Sequence, residues 1–145
     1  MMTPKRLGRE LQARLGGPHA DEHTTGAADL AAEAIRYLNY ATGSHSPEAL
    51  TFPATAYDIA TDLSIAARRM PQLFDQLARW LADQLGAEML GTDSGAPADD
   101  AVAAARLHLV EATGHAAQLA ADLTAVQNDL AAVNRHGPNR RRRAA

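Results

Sequence analysis

The stretch DDAVAAARLHLVEATGHAAQLAADLTAVQNDLAAV, residues 99–133, decides the fold. Within it Val102, Ala105, Leu109, Ala112, Ala116, Leu119, Leu123, Val126, Leu130 and Val133 follow one another at alternating steps of three and four. Such steps hold every residue on one face of an α-helix, where a strand would need steps of two. At 1.5 Å per residue the stripe predicts a helix about 32 residues and roughly 48 Å long, with the heptad seam of a coiled coil. Pro97 fits a first helical turn, and Asp99 and Asp100 behind it face the positive end of the helix dipole. Gly137-Pro138 is expected to stop the helix. Gly114 lies off the stripe and marks a bend site. The first half of the stripe is mostly Ala and lets a partner backbone come close; the second half is Leu and Val and holds it further away.

Upstream, Ala56, Ile59, Leu63, Ala66 and Met70 form a second stripe behind Thr51 and Pro53, and Leu73, Phe74, Leu77, Leu81 and Leu85 continue the apolar spacing to about residue 90. Pro71 stands between them. It either opens a new helix after a tight turn or kinks one helix of about 38 residues, and the bias of Met70 away from helical backbone favours the turn. A further helix is predicted over 27–42, with Thr25 as its cap, Leu30, Ala34, Tyr37 and Ala41 on one face, and Gly43 as its stop. The predicted fold is all-α: an antiparallel hairpin of residues 53–90 against 98–136, or a bundle of three to four helices, with a long C-terminal helix and the 27–42 helix covering part of the groove. Residues 1–26, broken by Gly16-Gly17-Pro18, read as a flexible N-terminal arm, 27–136 as the bundle domain, and 137–145 as a disordered Arg-rich tail.

Composition agrees with helices. Of 145 residues 33 are Ala, the best helix former, and only 4% are aromatic. No cysteine is present, so disulfides, thiolate zinc sites and thiol nucleophiles are excluded. No apolar run approaches the roughly 20 residues of a membrane span, and the charged start lacks the apolar centre of a signal peptide, so a cytoplasmic location and no membrane partner are expected. The net charge of -3 hides segregation. Residues 15–134 carry five Arg against sixteen acids, whereas 135–145 carry five Arg and no acid. The excess of Ala and Arg fits a GC-rich genome.

Candidate chemistry is sparse. His108 and His115 stand seven apart, about 10 Å along a helix and too far to share an ion, and His19 and His23 sit in the arm. The acid pairs Asp58 with Asp62 and Asp99 with Asp100 suit helix starts better than acid–base catalysis, and no Glu-x-x-His motif supports a di-iron site. The glycines Gly8, Gly16 and Gly17 make no phosphate loop, and Ser64 lacks a nucleophile elbow. The aromatics Tyr37, Tyr40, Phe52, Tyr57, Phe74 and Trp80 are expected in the core or at its rim. No catalytic residue, cofactor, metal or small-molecule ligand is therefore expected.

The run Glu33-Ala-Ile-Arg-Tyr-Leu-Asn-Tyr-Ala-Thr42, with Phe52-Pro-Ala-Thr-Ala-Tyr-Asp58 and Pro71-Gln-Leu-Phe-Asp-Gln-Leu-Ala-Arg-Trp-Leu81, resembles small helical proteins of Streptomyces-type actinobacteria. The resemblance covers roughly residues 27–134; it implies a source, and no activity or site residue carries over from it.

Two surfaces remain as candidates. One is the stripe itself at Leu109, Leu119, Leu123, Val126, Leu130 and Val133, which Leu107, Val110, Ala117 and Ala121 widen to a second side. A lone small bundle does not cover both sides, which points to a non-enzymatic interaction module, an adaptor or scaffold that binds a protein partner or a second copy of itself. The other is the tail, where Arg140, Arg141, Arg142 and Arg143 suit nucleic-acid phosphates. The same tail could instead fold onto the acidic body or have no partner.

Overall fold

The structure, a computed structural model, describes residues 4–13, 15, 17, 19–43 and 48–133. Among these residues there are four helices and no strand: α1 Pro4–Ala13, α2 Asp21–Ala41, α3 Pro53–Gly86 and α4 Asp99–Leu130. Together they hold about two thirds of the chain. The chain divides into two units, Met1–Ala49 and Leu50–Ala145.

In the first unit, α1 occupies part of the stretch expected to be an arm. Helix α2 starts six residues earlier than the predicted 27. Asp21 and Glu22 fill its first turn and meet the positive helix end. Thr25, the expected cap, lies inside the helix and donates its hydroxyl to the Asp21 carbonyl at 2.8 Å. A segment without apolar periodicity can still be helical, and no residue of α2 is buried.

In the second unit, α3 and α4 pack against each other as an antiparallel pair. Pro71 neither turns nor divides the chain: α3 is continuous from Pro53 to Gly86. The turn favoured from sequence is thus replaced by one long helix. The ring removes one backbone donor, and the cost is carried because α4 runs unbroken beside α3 on both sides of the proline. Pro71→Ala restores that donor and should raise stability by about 1–2 kcal/mol, the helix-propensity gain less the unfolded-state entropy the proline removes. A urea titration reads it; a neutral or lower midpoint would mean that the ring's packing outweighs the missing bond.

Helix α3 ends four residues before the expected 90. Its chain reversal places Glu88 in the left-handed region (φ 58°), with the Met89 amide donating to the Gln84 carbonyl at 3.0 Å. Helix α4 ends at Leu130, short of Gly137-Pro138, so Val133 lies beyond it. The tail, including Arg140–Arg143, lies outside the described residues. Gly114 leaves α4 unbroken, and a side chain there would meet nothing within 4 Å.

The face joining the two helices is made of small residues. The fully buried residues are Ala60, Ser64 and Ala67 of α3, Val102, Ala116 and Ala120 of α4, and Ala98 just before it. Around them Tyr57, Phe74, Ala78 and Leu81 of α3 and Leu109, Thr113, Leu123, Gln127 and Leu130 of α4 are half-buried. Both sets follow steps of three and four. On α3 this inner seam runs Tyr57, Ala60, Ser64, Ala67, Pro71, Phe74, Ala78, Leu81, Leu85, one position along from the stripe singled out by its large residues.

Candidate interaction face

Ser64 fixes how the two helices meet. Its side chain is fully buried, and its hydroxyl lies 3.1 Å from the Thr124 hydroxyl and 3.4 Å from the Ala120 carbonyl. The Arg68 guanidinium donates to Ser64 Oγ at 2.7 Å and to Thr124 Oγ1 at 3.0 Å, while Thr124 donates to the Ala120 carbonyl at 2.8 Å. Two turns away, Gln127 Nε2 donates to the Tyr57 hydroxyl at 3.1 Å. A slip by one heptad would break all of these bonds, so the cluster specifies register in a seam of near-identical alanines. No buried side-chain nitrogen or oxygen among the described residues lacks a partner.

The same contacts define the two sides of the hairpin. Arg68 and Thr124 meet on one side, and a shallow groove lined by Gln72, Asp75, Val110 and Thr113 opens there too. Residues one step back along each helix therefore share the opposite side. On α3 these are Ala56, Ile59, Leu63, Ala66, Met70, Leu73, Leu77 and Trp80, an outer seam of large side chains. On α4 they are Ala105, Ala112, Leu119 and Val126, alternating with His108, His115, Asp122 and Asp129. Met70, Leu73, Leu77, Trp80, Leu119 and Val126 are between 38% and 55% exposed. Ile59 and Leu63 are half-buried.

The distribution of size is inverted. Every buried apolar residue is Ala or Val, and no Leu, Ile, Met, Phe or Trp among the described residues is fully buried. An alanine methyl contributes only about 0.8 kcal/mol on burial, against about 1.5–3 kcal/mol for a Leu or Met side chain. The hairpin buries its weakest contributors and leaves Met70, Leu73, Leu77 and Trp80 exposed along one side of α3.

The residues predicted to form the stripe separate accordingly. Leu109, Leu123 and Leu130 sit half-buried at the inner seam. Leu119, Val126 and Val133 are exposed, and Ala120, Thr124 and Gln127 take their place against α3. The seven-residue series Val102, Leu109, Ala116, Leu123 and Leu130 holds throughout; only the intermediate seam position lies one residue later, at Thr113, Ala120 and Gln127, where a smaller or polar side chain meets α3. Leu107 and Val110 are also exposed, Val110 at the groove. Among the aromatics Tyr57 and Phe74 are half-buried; Tyr37, Tyr40, Phe52 and Trp80 are more than half exposed, contrary to the expected core or rim placement. Sequence reasoning missed the contacts of Ser64, Arg68, Thr124 and Gln127, and isolated polar residues among alanines gave no periodic signal for them.

The charged groups are arranged as exposed local pairs. Arg36 lies 3.1 Å from Glu33, Arg79 pairs with Asp75, and His108 Nδ1 lies 3.2 Å from Glu111. Pairs of this kind are worth at most about 1 kcal/mol. Among the described residues no three His, Asp or Glu side chains converge on a metal position, and no helix is long and apolar enough to cross a membrane. No family model, curated protein or solved structure matches the chain.

Proposed function

We propose that the protein is a non-enzymatic helical interaction module of the cytoplasm, whose working surface is the exposed face of the α3–α4 hairpin. The observation that carries this role is the outer seam: large apolar side chains along α3, with Leu119 and Val126 of α4 on the same side, next to an inner seam built mainly of small residues. A helical partner laid on that face completes a bundle of three or four helices and buries the residues the hairpin leaves out. Leu123 and Leu130 lie at the floor of that surface, with Leu119 and Val126 on its rim.

The test is the native mass of the protein at its ordinary abundance in extracts of the cells that make it. A mass well above the chain's 15.4 kDa is expected. A free monomer there would contradict the interaction role.

The charge distribution favours a second role. The acidic body and the Arg-rich end suit a small accessory protein that holds nucleic-acid phosphates through Arg140, Arg141, Arg142 and Arg143. If so, the full chain should bind duplex DNA weakly, at micromolar Kd or above, and lose affinity steeply between low and physiological salt as counterions are released. Deleting 139–145 should abolish that binding and leave the helical signal intact. Equal binding by the truncated chain would remove the tail from consideration.

A further inference from the structure

We infer that the occupant of the apolar face is a second copy of this chain, seated so that the two α3 helices run antiparallel along their outer seams; this rests on the interaction role proposed above and names its partner. The outer seam of α3 is self-complementary in size. Measured from a midpoint at residue 68, Ala66 falls opposite Met70 of the second copy, and Leu63 opposite Leu73. Further out, Ile59 meets Leu77 and Ala56 meets Trp80. Small residues thus face large ones at the centre and at both ends, while residues of similar size face each other between. Two-fold symmetry requires this property of a shared patch: if one residue contacts another, the reverse contact must also fit.

The partner helix is chosen by polarity. The positions on α4 that match Ile59, Ala66, Leu73 and Trp80 of α3 carry His108, His115, Asp122 and Asp129. Laying α3 on the second copy's α4 would set carboxylates against the apolar seam, and a carboxylate without a partner resists burial. Laying α3 on α3 keeps that seam apolar throughout and brings the two α4 helices together at a wetter edge, where Leu119 and Val126 supply the apolar contact. The area is sufficient. From Ala56 to Trp80 the seam is about 36 Å long. Two helix diameters give a width of roughly 20 Å and a footprint on the order of 700 Å² per copy, close to the ~800 Å² per partner of a stable complex. The product is a four-helix bundle in which every neighbouring helix is antiparallel.

The chain has no cysteine, so introduced thiols report only on themselves. The full-length double variant Leu63→Cys with Leu73→Cys should oxidise to a covalent dimer, each thiol pairing with the other position of the second copy. Within one chain these residues are about 15 Å apart along the helix, beyond the ~7 Å reach of a disulfide. Each single variant should stay uncrosslinked, because equal positions lie equally far apart across the seam. Ile59→Cys with Leu77→Cys provides a second pair with the same expectation should the first fold poorly. Sedimentation of the unaltered recombinant chain at tens of micromolar should give twice the 15.4 kDa mass. A monomer there overturns the self-pairing. So does a dimer in which neither double variant crosslinks, or in which single variants crosslink as readily. A recombinant monomer that is nonetheless found in a larger complex in native extracts would overturn the second copy as occupant while leaving the interaction role standing.

Discussion

Leu73→Glu combined with Leu77→Glu should leave the chain monomeric across the concentration range in which the unaltered protein is paired. Both residues are about half exposed on the hairpin and point from the outer seam of α3. In the dimer each would be covered, so the double change sets four carboxylates into an apolar seam. Losing the burial of four Leu side chains and desolvating unpaired charges together cost about 5 kcal/mol or more per dimer, roughly a 10³–10⁴-fold rise in Kd. Sedimentation equilibrium measures it. Val110→Glu is the control: Val110 is 66% exposed and lines the groove on the opposite side of the hairpin, and its replacement should leave the mass unchanged. Equal effects from the two variants would mean that no one face is special.

Ala67→Leu should be the most damaging change within the hairpin. Ala67 is 1% exposed, one turn from Ser64 on the inner seam, where the opposing residues Ala116 and Ala120 are also buried. The helices approach closely there because the side chains between them are methyls and a hydroxyl. Three added carbons force the helices apart, and the Ser64–Thr124–Arg68 bonds lengthen with them. Overpacking of this kind typically costs 1–3 kcal/mol, and the polar cluster places this site at about 3 kcal/mol. Urea unfolding of the full chain gives the value. A loss below about 1 kcal/mol would show that α3 and α4 are not held by this seam.

Much of this architecture was legible in the sequence, and what was misread has a single cause. The helical class, the long α4 with Asp99 and Asp100 in its first turn, the start of α3 at Pro53 and the antiparallel pairing all follow from periodicity and turn residues. The face on which the helices meet does not. Hydrophobic periodicity weights large residues, so Ala56, Ile59, Leu63, Ala66 and Met70 stood out as the core of α3. The helices join instead through Ala60, Ser64 and Ala67, invisible in a chain where alanine is everywhere and serine counts as polar. On α4 the same weighting favoured Leu119 and Val126 over Ala120 and Thr124. On α3 the stripe found by size is therefore the side that α4 leaves uncovered, and on α4 only its Leu119 and Val126 half is. The early start of α2 was hidden for a related reason: a helix with no buried residue needs no apolar pattern, and Asp21 and Glu22 suffice to begin one. Pro71 was misjudged because local bias against helix at Met70 is weaker than packing along a 32-residue neighbour.

On the proposed reading the inner and outer seams are two parts of one core, the first closed within the chain and the second closed by a partner. If that partner is a second copy, folding and association are one equilibrium. The most direct test is urea unfolding of the full-length protein over a hundredfold range of concentration. For a dimer that dissociates as it unfolds, the apparent stability should rise by about 2.7 kcal/mol per dimer over that range, and the midpoint should move with it. A midpoint independent of concentration would contradict the account, because the hairpin would then be stable with its largest apolar side chains left in water.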